Sequence, residues 1–160
     1  MIISRIETFT EVDTRVCFVK VTTDDGLEGI GQIAPSNADI SATVLHRQVA
    51  RCYLGESPLL LEKLAQKAVE INYKFPWSYV CRAVGGIDTA LWDLIGRMRG
   101  KSVCEMLGGT PRPFPVYGSS MSRSITPEPE AERAAVCTLS AQKTGMGYQL
   151  PGECRASGRW

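Results

Sequence analysis

The chain has 160 residues, 44% of them hydrophobic and 22% charged, a mix that suits a soluble globular fold with enough apolar sequence for a core. Eighteen basic and seventeen acidic residues leave a net charge of +1, and neither half carries a basic block, which argues against nucleic acid or an anionic membrane as a partner. No uncharged apolar run is long enough to span a bilayer, and Arg5 and Glu7 interrupt the place where a secretory signal would need its apolar stretch, so a cytoplasmic protein is expected.

Six scattered cysteines (Cys17, Cys52, Cys81, Cys104, Cys137 and Cys154) never form C-x-x-C, and with no secretory signal they read as reduced, mostly buried thiols. His46 is the only histidine, so a zinc site built on histidines is excluded and a Ser-His-Asp triad would have to use it.

The first third reads as antiparallel strands. Ile2 to Thr10 is rich in β-formers, and Arg15 to Thr23 alternates Cys17, Val19 and Val21 against Phe18, Lys20 and Thr22. Asp24-Asp25-Gly26 signals a turn, after which Glu28 to Ala34 returns with Gly29 and Gly31 on one face, leaving it bare for close backbone approach. A three-stranded meander follows from this pattern.

Helices come next. Asn37 or Asp39 can cap a helix that places Ile40, Val44, Leu45, Val49 and Cys52 inward and ends near Gly55. Pro58 suits the first turn of a second, with Leu60, Leu61, Leu64, Ala68 and Ile71 at helical spacing. The aromatic stretch Tyr73, Phe75, Trp77, Tyr79 reads as a loop pinned onto the fold rather than a substrate entrance. A third helix from about Val80 to Arg99 carries Val84, Ile87, Leu91, Leu94, Ile95 and Met98 as its apolar stripe, and Trp92 reads as core. Gly100 stops it, and Ser102 caps a short helix closed by Gly108-Gly109.

Thr110-Pro111-Arg112-Pro113 reads as a linker. Phe114 to Ser119 is a short apolar strand, and Thr126-Pro127 opens a helix to about Lys143 with acidic residues in its first turn. One βα unit cannot bury its own faces and implies neighbours. From Thr144 onward neither helical nor strand periodicity remains. The expected fold is therefore α+β: residues 1–110 form a meander followed by a helical bundle, 111–143 an incomplete first βα unit of a TIM-like barrel, and 144–160 an irregular tail. Truncation or a reading-frame shift between Arg133 and Tyr148 would explain the tail.

Two stretches carry a family likeness: Val19-Lys20-Val21-Thr22-Thr23-Asp24-Asp25-Gly26-Leu27-Glu28-Gly29-Ile30-Gly31, and Gly86-Ile87-Asp88-Thr89-Ala90-Leu91-Trp92-Asp93-Leu94 running on to Leu107-Gly108-Gly109. In that order and separated by helices, they resemble the N-terminal capping domain of the enolase superfamily, mandelate racemase and muconate-lactonising branch. The resemblance implies a cap over a modified TIM barrel whose strand ends hold the chemistry. There Mg²⁺ stabilises the enediolate formed when a Lys or His takes a proton α to a carboxylate.

The family's K-x-K pair, its three acidic metal ligands and its His-Asp base have no counterparts here. Beyond the linker the carboxylates are Glu128, Glu130, Glu132 and Glu153, and a barrel would need on the order of 200 further residues. The resemblance thus implies a fragment of a Mg-dependent enzyme acting on a small carboxylic acid. An acid-sugar dehydratase fits best, with racemase, epimerase or cycloisomerase as relatives. This chain alone is expected to be inactive and to bind no Mg. Family members are often homo-oligomeric, and an unpaired strand edge would favour self-association. The alternative is a non-catalytic interaction module, or a cap that completes a barrel on another chain.

By position, the cap's two substrate-selecting loops match Glu11 to Arg15 and Ala34 to Ala38. Asp13, Arg15, Ser36 and Asn37 are their candidate specificity residues: Arg15 could meet a carboxylate and Asn37 a hydroxyl. Arg15 reads equally well as part of a surface turn, and Asn37 reads first as a helix N-cap. Asp88 and Asp93 diverge by about 140° on one helix. With Trp92 they read as structural residues of a cap–barrel seam, each carboxylate satisfying backbone or cationic partners, rather than as a catalytic pair.

Overall fold

A computed structural model of the chain describes residues 1–11 and 16–112, together with 126–129, 131, 132 and 135. The chain divides into two compact units, Met1–Gly109 and Thr110–Trp160.

The first unit begins with β1 (Ile3–Thr10), β2 (Cys17–Thr23) and β3 (Glu28–Ile33), antiparallel and in that order. Alternation sets the register: Ile6, Val21 and Gly29 share one face, as do Thr8, Val19 and Gly31. A bulge between Ile3 and Arg5 keeps both Ile3 and Ile6 buried. Gly26 takes φ 87° in the β2–β3 turn, as the Asp-Gly signal demands. The inner face, with Cys17, Val19, Val21 and Ile33, packs on the helices.

The helices are α1 (Ala38–Val44), α2 (Leu61–Ile71), α3 (Tyr79–Arg99) and α4 (Val103–Met106). The chain leaves α1 through a wider helical turn at Leu45–Val49 and a tight one at Ala50–Cys52, and it enters α2 through a tight turn at Pro58–Leu60. At Gly29 and Gly31, helix α3 lies against β3 without an intervening side chain. A methyl group on Gly29 or Gly31 would strike the α3 backbone at Ala90 O and Gly86 O respectively, and one on Gly86 would sit 2.6 Å from Ile33. Gly100 ends α3 at φ 61°, and Ser102 and Glu105 form a reciprocal capping box on α4.

Several expectations need correction. The inward stripe of α1 and its continuation is Ala38, Ser41, Leu45, Val49 and Cys52; Ile40 is 44% exposed, and Val44 half-buried. Ser41 can be buried because its hydroxyl donates to Asn37 O at 3.2 Å. On α2, Leu64 and Ala68 are buried, whereas Ile71, and Leu60 in the turn before the helix, are exposed. The aromatic stretch is not pinned: Tyr73, Phe75 and Trp77 are 71%, 83% and 78% exposed, and the anchor is the buried Pro76, whose carbonyl accepts from Cys81 Sγ at 3.0 Å. Tyr79 belongs to α3 and not to the loop. Trp92 is half-buried rather than core. Of the described cysteines, Cys17 and Cys52 are buried but Cys81 and Cys104 are exposed, so burial is not the general rule.

In the second unit the described residues 127–129, 131, 132 and 135 are helical. The expected strand Phe114 to Ser119 and the irregular tail lie outside the described residues.

Candidate functional site

Strand β3 ends at Ile33, and the chain turns through residues 34–37 into α1. The β3–α3 contact brings this turn beside the start of α3, so that residues far apart in sequence meet there. Ser36 and Asn37 are both exposed. Asn37 occupies the N-cap position of α1, yet its side chain makes no cap hydrogen bond. Its Nδ2 donates instead to Tyr79 Oη at 3.0 Å. Arg82 Nη1 donates to Ser36 O at 2.7 Å, and its guanidinium lies 5.2 Å from the centroid of the Tyr79 ring. The capping expectation for Asn37 is thereby corrected: a tertiary partner has taken the carboxamide. From the sequence, Tyr79 reads only as part of the aromatic stretch, and nothing marks Arg82. Their three-residue spacing on one helix was visible, but their partners 42 and 46 residues away were not.

Asp13 and Arg15 lie outside the described residues. Asp88, Trp92 and Asp93 all lie on α3. Asp93 turns towards the sheet, where Oδ2 accepts from the Ile30 backbone N–H at 2.9 Å and both carboxylate oxygens accept from Arg97 Nε at 3.0 Å. Among the described residues β3 is a sheet edge, so this carboxylate satisfies an outward-pointing donor with no strand described beside it. Asp93 thus meets a backbone and a cationic partner inside the first unit. Trp92, Asp93, Arg97, Lys101 and Val103 help line a shallow hollow of about 330 Å³ at the α3–α4 junction.

Asp88 lies half-buried one helical turn before Trp92, and burial pushes its carboxyl above the ordinary value. Burial, with a contribution from Asp88, pushes the Tyr53 phenol strongly upward. The Tyr53 hydroxyl is buried with no hydrogen-bond partner among the described residues. On the outer sheet face, Lys20 bridges Glu28 and Glu7 at 3.2 and 3.3 Å, so these carboxylates are committed to a cation. No group of three or more His, Cys, Asp or Glu side chains converges among the described residues. They do not provide the acidic ligand set that Mg²⁺ prefers. No helix among the described residues is long and apolar enough to cross a membrane.

The sequence profile of the mandelate racemase / muconate lactonizing enzyme N-terminal domain matches residues 4–108. The chain belongs to this family. Its meander followed by helices is the family's capping domain. The chain is 31% identical over 115 residues to a D-mannonate dehydratase of Novosphingobium aromaticivorans, covering 71% of this chain and 29% of that protein. It is 32% identical over 113 residues to a D-galactonate dehydratase of Variovorax paradoxus, covering 70% of this chain and 29% of that protein. The chain therefore spans less than a third of the length of these relatives.

Among solved structures, a candidate racemase from Roseobacter denitrificans is similar at TM-score 0.76 and 49% identity, over 88% of this chain and 38% of that one. A racemase from Streptomyces coelicolor with bound magnesium shares the fold at TM-score 0.75 and 24% identity, over 88% of this chain and 43% of that one.

Proposed function

We propose that residues 1–109 serve as the cap of a Mg-dependent enzyme that abstracts a proton α to the carboxylate of an acid sugar, and that the turn at 34–38 helps select the substrate. The match of residues 4–108 to the family's N-terminal domain, together with its D-mannonate and D-galactonate dehydratase relatives, carries this reading. Ser36 and Asn37 are exposed polar residues on a turn held by α3, which suits contact with a polyhydroxy acid. Asp13 and Arg15 are assigned the same role by position. Asp88, Trp92 and Asp93, half-buried on α3, are assigned a structural role at the seam with the barrel. The proton-transfer machinery belongs to that barrel, so the 160-residue chain alone does not catalyse.

The test has two arms. The chain is incubated with Mg²⁺ and D-mannonate or D-galactonate in D₂O, and no deuterium should enter the α-carbon. Residues 1–109 then replace the cap of the Novosphingobium D-mannonate dehydratase, and the chimera should dehydrate an acid sugar with a preference that shifts when Ser36 and Asn37 are replaced. Exchange by the chain alone overturns the inactivity proposal, and a folded chimera inert towards every acid sugar overturns the dehydratase reading. The 49% identity to a candidate racemase favours racemisation as a second reading; α-proton exchange by the chimera without loss of water would select it.

A further inference from the structure

Asn37 adopts φ 55° and ψ 48°, a left-handed backbone that asparagine reaches more readily than other residues with a Cβ but still at a small cost, so its contacts help decide how firmly it is kept. A side-chain cap on α1 would be local compensation, and Asn37 makes none. From within, the Ser41 N–H and hydroxyl donate to Asn37 O at 3.1 and 3.2 Å. From outside, Tyr79 Oη receives the Asn37 carboxamide at 3.0 Å and Arg82 holds the Ser36 carbonyl at 2.7 Å. The guanidinium–ring contact at 5.2 Å links those two side chains, so the pair acts as one clamp. Both belong to the first turn of α3, a helix set directly on β3 at Gly29 and Gly31, so the clamp has a fixed base.

We infer that Tyr79 and Arg82 are positioning residues for the 34–38 turn: together they favour the left-handed state of Asn37 over its alternatives and so set the direction in which Ser36 and Asn37 face a ligand. Their meaning for specificity rests on the function proposed above; the conformational statement does not.

NMR of the full 160-residue chain tests it. A left-handed backbone brings a residue's own amide and α protons close, so Asn37 should give a strong intraresidue cross-peak. Tyr79→Phe, which removes a single oxygen atom, and Arg82→Gln should each weaken that cross-peak. Each should also quicken exchange of the Ser41 amide about tenfold, the equivalent of one net hydrogen bond, while the Val19 and Leu91 amides keep the parental rate. Arg82→Lys keeps a donor for the Ser36 carbonyl and should recover part of both signals. An unchanged cross-peak and Ser41 rate in Tyr79→Phe overturn the inference, even if Arg82→Gln fails to fold. Equal acceleration of the Val19 and Leu91 amides overturns it too, because the loss would then be global. None of these readouts needs turnover, so a failed substrate assay cannot be mistaken for a failed clamp.

Discussion

Replacing Gly31 with Ala tests the contact on which the whole unit is built. The added methyl would meet Gly86 O, Thr89 Oγ1 and Ala90 N, the last at 2.6 Å, and two of these three atoms are α3 backbone that cannot rotate away. Restoring ordinary contact requires β3 and α3 to part by about 1 Å, a gap that forfeits a quarter to a half of each contact's attraction across the seam. Overpacking of a core commonly costs about 1–3 kcal/mol, and backbone obstruction places this case near about 3 kcal/mol. For a unit of this size the melting temperature should fall by roughly 12–24 °C.

Gly85 supplies the control, because it lies inside the same helix and, among the described residues, no atom outside that helix's own backbone comes within 4 Å of where a Cβ would sit. Gly85→Ala should stabilise by about 0.5–1 kcal/mol through helix propensity alone. Circular dichroism melts of the parent and the two variants decide the matter. A Gly31→Ala melt within about 2 °C of the parent would show that the seam yields freely and would refute the reasoning.

Other outcomes follow from single groups. Tyr53→Phe removes a buried hydroxyl without a described partner and should leave stability unchanged or raise it by up to about 1 kcal/mol; a loss in chemical denaturation would reveal a partner for it. Ser102→Ala removes one half of the α4 capping box and should cost about 1 kcal/mol, with exchange of the Glu105 amide as the local readout. Burial raises the Asp88 carboxyl above 3.8, so the folded state holds that proton more tightly than the unfolded chain. Its contribution to stability is therefore fullest at low pH and declines as pH rises from about 3.8 through the raised folded value. Asp88→Asn should consequently melt above the parent near neutral pH and converge with it below pH 3.8; an equal gap at both pH values would contradict the shift.

The meander could be read from the sequence because period-two alternation, an Asp-Gly turn and paired glycines all act locally. The ends of α3 and α4 were legible for the same reason, since Gly100 and Ser102 carry their stop and cap chemistry in their own residues. The phase of the first helix was not. A stripe through Ile40 looks more apolar than one through Ser41, but a hydroxyl that finds a carbonyl is no obstacle to burial. The aromatic stretch misled because aromatic residues usually bury, whereas here the short connection is anchored through Pro76. At the candidate site the sequence pointed to Ser36 and Asn37 by position alone. The partners that fix them enter from α3, and no local pattern encodes a meeting of residues 42 and 46 positions apart.

Because β3 and α3 approach backbone to backbone at Gly29 and Gly31, the end of β3 and the start of α3 form a mount of fixed span. A turn hung from such a mount can exchange its exposed residues while its anchor points stay put. The frame can therefore hold successive turn sequences in the same place, and a library randomised at Pro35 and Ser36, with Asn37, Tyr79 and Arg82 retained, would vary chemistry without having to rebuild the fold beneath it.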